Sequence, residues 1–182
     1  MKRRYVIGVS GASGIVYASR LIRILAGEAE VHLVISPVAR EIAAHEGISL
    51  DDLPVILHQY ETLAAPIASG SFRHDGMAIV PCSMKTLASI ASGVTSNLIT
   101  RAADVTLKER RPCILLLREN PLSRIHITNM LTANDAGATI MTASPPFYHR
   151  PGTIEDLVDA VIARILDHLG FEHDISSRWN GY

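Results

Sequence analysis

The 182-residue sequence is poor in the residues that usually hold metal ions or cross-link a chain. Its two cysteines, Cys82 and Cys113, belong to no CxxC pair, which excludes a disulfide framework and a cysteine-rich zinc site. HxH and HExxH do not occur, and Asp51-Asp52 runs into Leu53-Pro54-Val55 rather than a third Asp, so no metal site is expected. An excess of either charge is also missing. The 17 Lys+Arg stand against 18 Asp+Glu, a net of −1, which argues against nucleic-acid binding through a basic surface. No apolar run approaches the roughly 18 residues of a membrane span. The opening Met-Lys-Arg-Arg has the charge of a signal-peptide n-region, but only the apolar run Tyr5–Val9 comes after it, too short for an h-region. The expected compartment is a reducing cytoplasm. Aromatics are 5% of the chain, so any aromatic beside a cleft stands out.

What is present is a globular composition, 48% apolar and 19% charged, without repeat, linker or low-complexity tract. The length fits one domain, 1–182. Short apolar runs alternate with helical periods. Tyr5–Val9, Val31–Ile35, Met77–Val80, Cys113–Leu117 and Thr139–Met141 read as strands, and Val55–Leu57 as a further short one. Ile15 to Leu25, Val38–His45, Ser83–Ser92, Asn97–Arg110, Ser123–Ala136 and Thr153–Leu169 read as helices, with a short one at Thr62–Ser69. This alternation predicts an α/β fold: a single-domain Rossmann- or flavodoxin-like parallel sheet with helices on both faces. In such folds ligands sit beyond the carboxyl ends of the strands.

Behind the first strand stands Gly8-Val9-Ser10-Gly11-Ala12-Ser13-Gly14. Its glycines would let backbone N–H groups approach an anion at a helix N-terminus; the alternative is a tight turn with no ligand. Ser10 replaces the second glycine of GxGxxG, and no Gly-Lys-Ser/Thr comes after it. Ser36-Pro37 stands after the second strand, where a ribose-binding acid would be expected. NAD is therefore disfavoured, and a mononucleotide with an open ribityl chain, FMN, fits better. Ser83 can cap the helix after Met77–Val80, and that role alone would account for it. Arg101 and Lys108, seven apart, share one helix face, and Arg101 can pair with Asp104.

Five segments together carry a resemblance: Gly8–Gly14, Pro81-Cys82-Ser83-Met84-Lys85-Thr86-Leu87-Ala88, Arg101–Arg111, Arg118-Glu119-Asn120-Pro121-Leu122 and Pro146-Phe147-Tyr148-His149-Arg150-Pro151. In this order they closely resemble the UbiX-type flavin prenyltransferases, over a core of about 4–170 that leaves 171–182 as a tail. The resemblance implies an FMN-binding enzyme that joins a dimethylallyl group from dimethylallyl monophosphate to N5 and C6 of reduced FMN, without a metal. Prenylated FMN, its product, would serve a separate UbiD-type decarboxylase. The resemblance also implies a homododecamer built from trimers, with the flavin site at subunit boundaries. It places Gly11, Ala12, Ser13, Ser36, Ser83, Met84, Lys85, Thr86 and Arg118 on FMN. It places Lys108, Tyr148 and Arg164, with Arg101 in the same polar constellation, on the donor phosphate. Ser13, Glu119, Lys108, Tyr148 and Arg164 are the implied catalytic set. Glu119, just after the strand Cys113–Leu117 and set beside Arg118 and Lys108, is expected to stay ionised and to act as a base or proton relay.

Two departures from the family pattern stand out. Thr142 replaces a usual proline ahead of Phe147-Tyr148, and Ser177-Arg178-Trp179 only partly specifies the role of the Arg-Trp tail. Competing readings are an FMN-dependent cysteine decarboxylase, whose Pro-Ala-Ser-Ala-Asn-Thr-type motif differs from Pro81–Thr86, and a passive FMN carrier, which would not need the Lys108–Glu119–Tyr148–Arg164 set.

Overall fold

The computed structural model describes residues 2–179 and 181. Six strands, β1 (Arg4–Val9), β2 (Glu30–Ile35), β3 (Ile56–His58), β4 (Gly76–Cys82), β5 (Cys113–Leu117) and β6 (Thr139–Thr142), form one sheet in the order 3-2-1-4-5-6. Every neighbouring pair is parallel. Helices α1 (Ile15–Glu28), α2 (Pro37–Glu46), α3 (Met84–Ala91), α4 (Leu98–Lys108), α5 (Arg124–Asp135) and α6 (Ile154–His168) supply the crossovers and flank the sheet. This is the doubly wound parallel arrangement expected from the strand–helix alternation.

Alternate side chains of the buried strands feed two cores. Tyr5, Ile7 and Val9 of β1 pack with Leu21, Ile22 and Leu25 of α1 and with Ile162, Ile165 and Leu166 of α6. On the other face Val6, Met77 and Ile79 pack with Leu87 of α3 and with Leu98, Ile99 and Ala102 of α4. Gly8 lets α4 come close to β1: a Cβ there would lie 3.0 Å from Ile99 Cγ2.

Five helices open on a capping side chain. Ser36, Ser83, Asn97, Ser123 and Thr153 each accept an N–H from the first turn of α2 to α6. α1 is the exception; its cap position is Gly14, at φ 103°, with no side-chain cap.

Two boundaries differ from the sequence expectation. β4 does not stop at Val80 but continues through Pro81 to Cys82. The register with β5 shifts between Ile79 and Cys82, and that irregularity admits a residue with no N–H to give. The helix expected over Thr62–Ser69 shrinks to a single 3₁₀ turn, Pro66–Ala68. Pro66 holds Ala65 extended, at ψ 151°, so a helix cannot run through from Thr62.

His74 is buried two residues ahead of β4, where its Nδ1 lies 3.2 Å from the Gly76 carbonyl and its Nε2 3.4 Å from the Thr106 hydroxyl. Burial, helped by the charge of Arg111, pushes it down to about 4, whereas an unfolded histidine titrates near 6.5. The unfolded chain then binds the extra proton first. Its contribution is therefore complete above about pH 6.5 and lost as pH falls toward 4, up to about 3 kcal/mol in total. Urea midpoints at pH 7 and pH 5 should drop more steeply for the wild type than for His74→Asn; parallel drops would remove His74 from the account.

Candidate functional site

The strand order reverses between β1 and β4: the chain leaves β1 for α1 on one face and β4 for α3 on the other. A crevice must open beyond the carboxyl ends of these two strands. There a cavity of about 470 Å³ is lined by Ser10, Gly11 and Ala12 after β1, Ser36, Pro37 and Val38 after β2, and Tyr60 beyond β3. Its other wall is Ser83, Met84, Lys85 and Thr86 after β4, with Arg118 and Glu119 after β5. Its size is within the usual range for a cofactor pocket.

A short polar network fixes the floor. The Ser10 hydroxyl donates to the Pro81 carbonyl (3.1 Å) and accepts from Ser83 N (2.8 Å). Ser83 Oγ accepts from Thr86 N (3.3 Å) and donates to Thr86 Oγ1 (3.1 Å), so its proton is engaged within α3. Ser36 Oγ accepts from Ala39 N (3.2 Å), which leaves its own proton to donate into the cavity. Arg118 Nε donates to the Ser13 carbonyl (3.2 Å) and joins the first loop to the end of β5. Glu119 is exposed and folds back to accept from Asn120 N (3.2 Å).

Glu46 and Tyr60 belong to this region, and no sequence pattern marks either. Glu46, the last residue of α2, accepts from Gly14 N and Ile15 N through its two oxygens, each at 2.8 Å. It therefore takes the α1 N-terminal amides that the glycine-rich loop was expected to offer an anion. No spacing rule pairs residues so far apart. The legible signal was a helix opening on glycine with no capping side chain, which needs an acceptor from elsewhere.

The remaining predicted residues occupy two other places. Lys108 ends α4, which runs back to the amino end of β5, and its Nζ contacts Glu109 Oε1 at 2.8 Å. Glu119 lies beyond the opposite end of β5, a strand length of roughly 16 Å away. The expected Lys108–Glu119 pairing is therefore not formed within one chain. Lys108 instead borders a larger depression, about 710 Å³, with Arg110, Arg111 and Asp135. Arg101 pairs with Asp104 as the spacing predicted, Nη1 to Oδ2 at 2.8 Å, and Nε donates to the Ala68 carbonyl.

Tyr148 and Arg164 line one further cavity, of about 430 Å³, between α6 and the tail. Arg164 and Arg178 both reach Asp167, at 2.7 and 2.8 Å, and His173 Nε2 lies 3.1 Å from Asp167 Oδ1. Burial pushes the Asp167 carboxyl up, but Arg178 and His173 outweigh it and leave the group below its ordinary range. The Tyr148 ring stands edge-on to Trp179, with centroids 5.2 Å apart.

The chemistry of the crevice fits a flavin mononucleotide. It offers hydroxyls, two helix N-termini (α2 and α3) and Lys85 for a phosphate, no acid after β2 for a ribose diol, and a Glu/Arg edge. Cys82 is fully buried and its thiol is pushed well up by burial, which removes it as a nucleophile at neutral pH. Among the described residues no group of three His, Cys, Asp or Glu side chains is placed to hold a metal ion.

Residues 1–166 match the Flavoprotein family model. The flavin prenyltransferase UbiX of Deinococcus radiodurans is 50% identical over 97% of this chain and 93% of its own. The crystal structure of AnUbiX (PadA1) in complex with FMN and dimethylallyl pyrophosphate superposes with a TM-score of 0.94 at 43% identity, covering both chains fully. A dodecameric FMN-dependent UbiX-like decarboxylase from Escherichia coli O157:H7 superposes with a TM-score of 0.93 at 42% identity, over 98% of this chain and all of that one.

Proposed function

The chain belongs to the UbiX-type flavin prenyltransferases of the flavoprotein family, and from that premise we propose a division of labour among its residues. The enzyme joins a dimethylallyl group to N5 and C6 of reduced FMN, and the donor's phosphate leaves. Reduced FMN supplies the electron-rich N5 and C6 when bound. The observation that carries the reading is the meeting of the serine-rich loop, Ser36, the Ser83–Thr86 turn and the Arg118-Glu119 edge in one crevice at the strand-order reversal.

In this reading Gly11, Ala12, Ser36 and Met84 to Thr86 hold FMN, with Ser83 shaping the turn. Arg118 positions Ser13, whose hydroxyl serves the N5 edge. Glu119 takes the proton released as the bond to C6 forms. Lys108, Arg101, Tyr148 and Arg164 handle the phosphate of dimethylallyl monophosphate. Because these groups lie apart in one chain, the donor side is completed by neighbouring copies in a homododecamer. The exposed Ile125, Ile127 and Leu131 on α5 and the exposed Phe147 and Ile154 are surfaces such an assembly would cover. Residues 1–182 form one unit, the product passes to a UbiD-type decarboxylase, and the protein works in the cytoplasm. The last assignment is supported by two buried free cysteines and by the absence, among the described residues, of a helix long and apolar enough to cross a membrane.

The test is direct. Protein, reduced FMN and dimethylallyl monophosphate are incubated without oxygen, and the flavin is weighed by mass spectrometry. An unchanged FMN mass would reject the reading.

If side chains carry the leaving phosphate, excess EDTA should leave the rate unchanged. Lys108→Ala or Arg164→Ala should weaken use of the donor by about 1.5–3 kcal/mol, roughly 10- to 150-fold in kcat/KM, with little change in FMN affinity. Activity lost in EDTA and restored by magnesium would place the neutralising charge elsewhere.

A further inference from the structure

We infer that the Tyr60 hydroxyl hydrogen-bonds the phosphate of FMN and thereby sets the preference for FMN over unphosphorylated flavin, an inference that rests on reading the crevice as the FMN site. In a chain this poor in aromatics, Tyr60 is the one aromatic among the described residues that lines the crevice. Its ring packs on the apolar cluster around α3 and α4, so it has a fixed body and a polar tip. Its backbone is held: the Tyr60 carbonyl accepts from Leu98 N (2.9 Å), and Thr62 N closes the turn onto Gln59 O (3.2 Å). Yet its hydroxyl makes no hydrogen bond to another described residue. A half-buried phenol normally finds a partner, and Tyr60 lines the cavity.

The sheet order says which end of the flavin it faces. Tyr60 comes after β3 and Glu119 after β5, with β2, β1 and β4 between them. Four strand spacings, roughly 19 Å, separate β3 from β5, which puts Tyr60 on the β3 side of the crevice and Glu119 on the β5 side. With Glu119 at the reacting edge, the phosphate falls toward β2 and β3. There the Ser36 proton and the N-terminus of the ten-residue helix α2 already favour an anion. Burial, with Glu61 nearby, raises the ionisation of the phenol above its ordinary value, so it remains a donor at neutral pH.

The test titrates oxidised FMN and riboflavin into the wild type and Tyr60→Phe, and measures KM for dimethylallyl monophosphate. The ring is retained, so an unchanged melting temperature without ligand checks the fold. FMN affinity should fall roughly tenfold in the variant, the effect of one lost hydrogen bond to a charged group. Riboflavin affinity and the donor KM should stay as in the wild type. Unchanged FMN affinity would overturn the inference, as would an equal loss for both flavins, which would leave the ring as a wall only. A raised donor KM with FMN affinity intact would also overturn it and move the contact to the donor's phosphate. A wild-type protein that binds neither flavin would overturn the FMN reading itself, and this inference with it.

Discussion

Replacing Glu119 with glutamine should reduce prenylation by about 10²- to 10⁴-fold, the range spanned by removing a positioned acid–base group. FMN binding should change by no more than about twofold, because the substitution keeps the volume and removes only the charge. The side chain is exposed at the end of β5, and its one hydrogen bond, from Asn120 N, can be accepted by the amide oxygen of glutamine. Loss of activity through unfolding is thus not expected. Flavin titration and anaerobic single-turnover mass analysis separate the two effects. If FMN binding is lost while turnover per bound flavin is kept, Glu119 shapes the pocket and does not move the proton.

The second large effect concerns where the site is assembled. Lys108 and Glu119 lie at opposite ends of β5, so in the proposed assembly each complete site would draw them from different copies. Assayed at a donor concentration well below KM, Lys108→Ala and Glu119→Gln should each keep no more than about a tenth of wild-type activity alone. Dissociated and reassembled in equal amounts, they should recover roughly a quarter of wild-type activity, because a quarter of the sites then pair an intact Lys108 with an intact Glu119. Reassembled mixtures that stay as inactive as the separate variants would mean that one chain supplies both groups.

Much of the fold was legible because it rests on local rules. Cys113–Leu117 was bounded by Pro112 and Arg118 and came out as read. Thr153 announced α6 through its capping chemistry, with Glu155 and Asp156 in the first turn. The crevice residues were legible because parallel topology sends every strand end to one edge, so the residues just past the strands, Ser36, Ser83 to Thr86 and Glu119, must gather there. Pro81 misled, because a register shift that tolerates proline leaves no trace in the sequence. The Lys108–Glu119 pairing misled for a different reason. Residues on either side of one strand are close in sequence, yet the strand's length holds them apart. Glu46 was out of reach because its partners, Gly14 and Ile15, are brought to it by the packing of α2 beside α1.

Asp167 holds a consequence for how an anion would be received. One carboxylate is shared by Arg164, Arg178 and His173, so Arg164 is not a bare cation waiting in water. An incoming phosphate would exchange with a carboxylate already seated on that guanidinium, whose side chain is otherwise still 60% exposed. The carboxylate freed from Arg164 would then belong wholly to Arg178 and His173, which fasten residues 173–178 to α6. Occupancy by the donor and order in residues 173–178 are thus two readings of one ionic equilibrium, and salt should weaken both together.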